Sequence, residues 1–269
     1  GSGKSTTIAS MLDYRNANRS GHILTIEDPI EFLFKHKKSI VNQRELGMDT
    51  LDWGSALKNA MRQAPDCILI GEIRDKETMQ AAIAYAQTGH LCLGTLHANN
   101  SYHALNRIIN FFPLENRTSL NLDLSVTLKA IISQRLVRKP DGKRMPTCEV
   151  LLNTRHIQEL IERGEVQAIK DAMEQTLAPG SQTFEQDLFR LYRESTITLD
   201  EALANSDSPT NLSWLINNSE LTVEKKELKR PDSPLEFGSD SQSGGSSFKE
   251  FTLSLSDADE NEEESKDAP

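Results

Sequence analysis

The sequence predicts an α/β fold with a mostly parallel sheet, continued by a C-terminal helical bundle and a disordered acidic tail. Three observations predict it. The chain opens on Gly1-Ser2-Gly3-Lys4-Ser5-Thr6, the end of a phosphate-binding G-x-x-x-x-G-K-[ST] loop, which normally leads straight into a helix. Three short, near-continuous apolar runs, at residues 23–26, 67–70 and 91–96, each stop at Glu, Asp or His. Helical stretches separate them, the pattern of a parallel sheet covered on both faces, whose ligands bind outside the carboxyl ends of the strands.

Each element follows in order. Glycines in the opening loop let backbone N–H groups close on phosphate oxygens, Lys4 reaches the β- and γ-phosphates, and the Ser5 hydroxyl ligates Mg²⁺. Thr6, Thr7, Ile8, Ala9 and Met11 continue as the helix whose N-terminus faces the anion. Taken alone, six such residues also fit a Gly-Ser-Gly linker. Ile23-Leu24-Thr25-Ile26, flanked by Gly21, is a strand followed by Glu27, Asp28 and Glu31. A helix over 55–62 precedes Pro65, and Cys67-Ile68-Leu69-Ile70 is the second strand, ending in Gly71-Glu72-Ile73-Arg74-Asp75. Glu72 therefore stands where a carboxylate can hold Mg²⁺ through water or polarise an attacking water. Asp75 caps a helix through Met79, Ala82, Ile83 and Tyr85, closed by Thr88-Gly89, and the third strand ends at His97.

Apolar residues between Thr118 and Lys139 (Leu120, Leu124, Leu128, Ile131, Ile132, Leu136) recur at helical spacing and predict one amphipathic helix on the core. Pro140-Asp141-Gly142-Lys143 reads as the turn of a short hairpin with a returning strand at 147–152. Short helices follow around Ile157, Leu160 and Ile161, around Phe184, Leu188 and Leu191, and after Thr198, which with Glu201 forms a capping box. The expected division is a core at 1–152, a helical subdomain at 153–218 and a disordered acidic tail at 219–269. Within the tail, residues 248–255 alternate apolar and polar, and are expected to form a docking strand that adds to a sheet edge of a partner.

Composition limits the function classes. No apolar run among the 269 residues approaches the ~18 needed to cross a membrane. The net charge of −10 sits mostly in residues 232–269, which hold 11 acids and two bases, so the folded part is nearly neutral. A nucleic-acid partner demands a basic stripe, and the nearest approach, Lys35-His36-Lys37-Lys38, reads as a solvated loop. Cys67, Cys92 and Cys148 are isolated, so neither a zinc site nor a disulfide is expected.

Four motifs in this order resemble the secretion ATPase superfamily, and within it the type IV pilus retraction ATPases, the PilT/PilU group, over residues 1–216. They are Gly-Ser-Gly-Lys-Ser-Thr-Thr at 1–7, Ile-Leu-Thr-Ile-Glu-Asp-Pro-Ile-Glu-Phe at 23–32, Ile-Leu-Ile-Gly-Glu-Ile-Arg-Asp at 68–75 and Thr-Gly-His-Leu-Cys-Leu-Gly-Thr-Leu-His at 88–97. Together they set the linker reading aside. The resemblance implies a RecA-like motor domain that assembles as a homo-hexamer, hydrolyses ATP with Mg²⁺ and drives pilus disassembly. Its place would be cytoplasmic, peripheral at the inner membrane, against a pilus platform protein. By position it implies Gly1, Ser2, Gly3, Lys4, Ser5 and Thr6 as the nucleotide-binding loop, with Ser5 and Glu72 serving the metal. Glu72 is the Walker B acid, Glu31 a second candidate for activating water, and His90 and His97 a pair of γ-phosphate sensors. For His90 a purely structural role, satisfying backbone carbonyls, stays open.

Residues 155–164, Arg-His-Ile-Gln-Glu-Leu-Ile-Glu-Arg-Gly, keep the apolar spacing of the PilT-type Ala-Ile-Arg-Asn-Leu-Ile-Arg-Glu motif but lose most of its polar identities. With the acidic tail, this favours the accessory PilU-type branch, working alongside a PilT-type ATPase. The leading glycine of the loop, the first core strand, a PAS-like domain and arginine fingers are expected upstream of Gly1, so the isolated chain is expected to bind ATP poorly. Alternatives are a regulatory PilT-binding subunit with little turnover, and a pilus or type II secretion assembly ATPase. The assembly branch usually carries a four-cysteine zinc module, and this sequence does not supply one. A DNA-translocating motor lacks its basic channel.

Overall fold

The computed structural model describes residues 1–176 and 178–227, with side chains through residue 218. Of the disordered tail expected at 219–269, residues 219–227 instead continue a helix that starts at Pro209, and the rest, including the docking strand at 248–255, lies outside the described residues. Strands β1 (Gly21–Glu27), β2 (Ser39–Glu45), β3 (Cys67–Ile70) and β4 (Leu91–Gly94) form one fully parallel sheet in the order β2-β1-β3-β4. Alternate residues of each strand serve opposite faces. Ile23, Val41, Cys67 and Leu69 pack with Leu12 of helix α1 (Lys4–Asn18) on one side. Leu24, Ile26, Ile68 and Ile70 pack on the other side with α2 (Trp53–Ala60) and α3 (Lys76–Gln87). Burial on both faces is why these strands read as unbroken apolar runs.

Helix α3 starts and stops as its sequence dictates. The Asp75 side chain accepts from Thr78 N at 2.9 Å in a capping box, and Gly89 at φ +90° follows the last turn. Helix α2 begins two residues before the expected Ser55, because Asp52 caps it by accepting from Ser55 N at 2.8 Å. Strand β2 was not expected. It starts just after the basic loop at 35–38: Ser39, Val41 and Gln43 alternate with the more exposed Ile40 and Asn42, and the whole segment pairs in register with β1.

The single helix expected over 118–139 is corrected. Helices α4 (Ser101–Asn110) and α5 (Arg117–Thr127) are followed by an antiparallel hairpin of β5 (Ala130–Arg138) and β6 (Arg144–Leu152). Helix α5 stops because Asn153, just past β6, donates to the carbonyls of Ser125 and Leu128 at 2.9 and 2.8 Å. The following Ile131, Ile132 and Val137 then take a strand partner, which suits β-branched residues better than another helical turn. The turn at residues 140–143 and the returning strand stand as expected.

Beyond the hairpin come α6 (Arg155–Arg163), α7 (Ile169–Gln175), α8 (Phe184–Arg193), α9 (Leu199–Asn205) and α10 (Pro209–Glu227). Thr198 does cap α9, accepting from Glu201 N, but the capping box is not closed: Glu201 Oε1 instead accepts from Arg138 N at 2.8 Å. Ile157, Leu160 and Ile161 of α6 join the same core cluster as the sheet, while Phe184, Leu188, Leu191, Leu212 and Ile216 gather around Val137 of β5. Gly1–Val223 form one compact unit; of the second, Glu224–Pro269, only the end of α10 is described.

Candidate functional site

Strand pairing sets the site. Ile26 of β1 lies beside Ile70 of β3, so Glu27 and Gly71-Glu72 leave the sheet side by side, and Gly71 N donates to Ile26 O at 2.7 Å. Gly71 is the hinge of this approach: a Cβ there would stand 3.0 Å from Ile26 O and 3.1 Å from Glu27 Cα. Strand β4 completes the row. After Gly94 the Thr95 hydroxyl donates to Gly71 O, and Thr95 O accepts from Ile73 N at 2.9 Å, so the segment leading to His97 is tied to the one carrying Glu72.

Across these strand ends stands the N-terminus of α1. Gly3 takes φ +86°, a left-handed conformation suited to glycine, and turns the chain into the helix. The Ser5 hydroxyl donates to Glu31 Oε1 at 2.9 Å. Glu72 is held at both oxygens: Oε1 lies 3.2 Å from His97 Nε2, and Oε2 accepts from Arg74 Nε at 2.7 Å. Arg74 also reaches Asp28 Oδ2 at 3.3 Å, and the hydrogen bond and charge of Glu72, aided by Asp28, raise its guanidinium above its ordinary value. Ser5, Asp28, Glu31, Glu72 and His97 line a cleft of about 290 Å³ together with Gly1, Lys4 and Glu27 and the apolar Ile8, Leu12, Phe32 and Leu69.

The cleft can bind an anion at Lys4 and the α1 terminus, and it faces that anion with Glu27, Asp28, Glu31 and Glu72. With a phosphate bound there, these carboxylates would call for a cation between them and the anion. The donor set of Ser5 hydroxyl and carboxylate oxygens is hard and suits Mg²⁺. Among the described residues no three His, Cys, Asp or Glu side chains converge into a cage of their own. Mg²⁺ fits that too, since it is usually held by one or two carboxylates together with substrate phosphates and water.

The structure therefore brings Lys4, Ser5, Glu31, Glu72 and His97 together, but not His90. The two histidines flank β4, a four-residue strand, at opposite ends. His90 Nδ1 lies 2.9 Å from the Thr88 hydroxyl and 3.2 Å from Tyr85 O, closing the end of α3. Thr6 also stands apart, on an outer patch of α1 with Ser10, Met11 and Tyr14. Sequence reasoning gave no role to Arg74, Asp28 or Thr95. All three lie inside quoted motifs, but the tie from Thr95 to Gly71 depends on strand register and leaves no signal in the sequence.

Parallel strands ending in carboxylates beside a phosphate loop define a P-loop nucleotide-binding class. The chain belongs to the type II/IV secretion system protein family, whose model matches residues 1–202. It is 52% identical to the type IV pilus ATPase PilU of Pseudomonas aeruginosa over 217 residues, 80% of this chain and 57% of that protein. To the type IV pilus retraction ATPase PilT of the same organism it is 42% identical over 211 residues, 78% of this chain and 61% of that protein. The crystal structure of the pilus retraction motor PilT with bound ADP superposes with a TM-score of 0.74 at 47% identity, covering 79% of this chain and 60% of that one. The expected RecA-like fold and the resemblance to the retraction ATPases are thereby borne out, and the chain spans about three fifths of the length of these relatives.

Proposed function

We propose that this chain carries the catalytic core of an ATP-hydrolysing motor that powers type IV pilus retraction and twitching motility, as the PilU-type accessory to a PilT-type ATPase. The observation that carries the proposal is the convergence of Lys4, Ser5, Glu31, Glu72 and His97 on one cleft at the carboxyl ends of β1, β3 and β4. The similarity to PilU and PilT supports the biological setting. A homo-hexameric ring at the cytoplasmic side of the inner membrane, against a pilus platform protein, is part of the same reading.

In this site Lys4 and the α1 N-terminus hold the β- and γ-phosphates. Ser5 and Glu72 would hold the metal. Mg²⁺ supplies charge neutralisation at the phosphate oxygens when bound. Glu72 is placed to orient the attacking water, with Glu31 across the cleft as the second candidate base, and His97 reports on the γ-phosphate through its contact with Glu72. His90 serves the fold rather than the reaction.

The test is ATP hydrolysis by the full-length protein, wild type beside Lys4→Ala and Glu72→Ala, with and without purified PilT. Turnover by the wild type that both substitutions abolish is the expected result. Turnover unaffected by either substitution would overturn the proposal, and turnover only in the presence of PilT would recast the protein as a dependent subunit.

A further inference from the structure

One side chain outside the cleft touches the phosphate loop on both sides of Lys4 and Ser5. Gln134, in the middle of β5, donates from Nε2 to Ser2 O at 2.8 Å, and its Oε1 accepts from the Thr7 hydroxyl at 2.7 Å. The two bonds fix the amide's orientation. Ser2 O is a carbonyl and can only accept, so the NH₂ group must face it, leaving the amide oxygen for Thr7. Between these anchors the chain must turn at Gly3, and there a Cβ would stand only 2.7 Å from Gln134 Nε2. Gly3 is thus required by its φ of +86°, and a side chain there would also push the Gln134 amide off the loop.

We infer that Gln134 is the positioning residue of the phosphate loop. It does not touch Glu31, Glu72 or His97 and is not a catalytic residue. Its amide holds the Ser2 carbonyl turned away from the anion, which keeps the backbone N–H groups of the loop directed toward the phosphates. A loop fixed before binding loses less conformational entropy when nucleotide arrives, so the contribution is to affinity rather than to the chemical step. The next residue extends the connection. Arg135 donates to Asn99 O at 3.3 Å, two positions after His97, so one strand braces both the phosphate loop and the segment that carries the histidine.

This inference rests on the nucleotide-binding reading of the cleft, and its test separates the two. MgADP binding to the full-length protein would be measured by calorimetry for wild type, Lys4→Ala, Gln134→Ala and Gln134→Glu, alongside thermal unfolding and, for ATP, kcat and KM. Loss of one net hydrogen bond, about 1.4 kcal/mol, corresponds to a roughly tenfold weaker Kd for Gln134→Ala. The expected KM rises in proportion and kcat stays within about twofold of wild type, a split that general loosening of the fold would not give. Gln134→Glu, nearly the same shape, sets a carboxylate against the Ser2 carbonyl and is expected to bind no better than Gln134→Ala; it supplies the reading if the alanine variant fails to fold. Wild-type affinity in a folded Gln134→Glu protein, with Lys4→Ala binding abolished, would overturn the role of Gln134 and leave the site standing. A wild type that binds no MgADP would overturn both.

Discussion

His97 Nε2 lies 3.2 Å from Glu72 Oε1 while Arg74 holds the other carboxylate oxygen at 2.7 Å, so the acid at the end of β3 is clamped between an imidazole and a guanidinium. A carboxylate held this way is fixed in direction before substrate arrives, which general base catalysis and water positioning require. Glu72→Gln keeps the shape and an acceptor for Arg74 but cannot take a proton. Hydrolysis is expected to fall by about a hundredfold or more, with MgADP affinity within a few-fold of wild type, read by steady-state turnover beside calorimetric binding. An equal fall in binding would instead assign Glu72 to holding the metal rather than to positioning the water.

Gly71 permits the close packing of β1 against the end of β3. A methyl group there meets backbone, Ile26 O at 3.0 Å and Glu27 Cα at 3.1 Å, and backbone inside a sheet cannot step aside as a flexible side chain can. Gly71→Ala is expected to destabilise the protein by roughly 1–3 kcal/mol, the usual cost of overpacking. Because Glu27 and Glu72 both move, turnover should drop more than thermal stability alone explains. Denaturant melts and turnover at a temperature where the variant is fully folded measure the two effects separately.

Much of this site was legible because each of its parts is local. A phosphate loop is six consecutive residues, and Glu31, Glu72 and His97 each follow an apolar run within a few positions. For His90 the sequence left two roles open, because proximity to β4 does not say which end of the strand a residue occupies; His90 stands before it, against Thr88 and Tyr85. The helix drawn through residues 118–139 failed because Leu128, Ile132 and Leu136 stand four apart, a spacing that suits one face of a helix and one face of a strand alike. What decided between them was Asn153, some twenty residues on, ending α5, together with the pairing partner in β6. Gln134 lay beyond sequence reasoning altogether, since its partners Ser2 and Thr7 are 132 and 127 positions away.

Arg135 is the fastener between the segment after His97 and the C-terminal helices. It donates to Asn205 O at 2.6 Å, reaches Asn99 O, pairs with Asp207 and lies 3.9 Å over the Phe184 ring. Planar stacking and a forked donor set are properties of Arg that Lys lacks. Arg135→Ala is expected to cost about 2 kcal/mol or more in urea denaturation, since it leaves carbonyls and the Asp207 carboxylate short of partners. Arg135→Lys should recover less than half of the loss. Full recovery by Lys would mean that charge alone matters and that the stacked geometry is incidental.

Glu149 gives the fold a pH dependence of definite sign. It is buried on β6 beneath the start of α4, where it accepts from Ser101 N at 2.6 Å. Burial raises its pKa above the ordinary 4.5, with the charge of Asp207 adding to the effect, while hydrogen bonds from Ser101 and Ser133 pull the other way without cancelling it. A carboxyl whose folded pKa exceeds its unfolded one holds its proton longer in the native state, so its contribution to stability is greatest below the unfolded value. That contribution is lost as pH rises from about 4.5 through the folded pKa. Glu149→Gln keeps an acceptor for Ser101 N and removes the titration. Plotted as the difference between the two proteins in urea-denaturation free energy, wild type should lose ground to the variant as pH is raised from 4.5 to 7, and the difference should level off above the folded pKa. A difference that stays flat across this range, or that rises in favour of the wild type, would show that the buried carboxylate is ionised at no cost and that its partners fully offset burial.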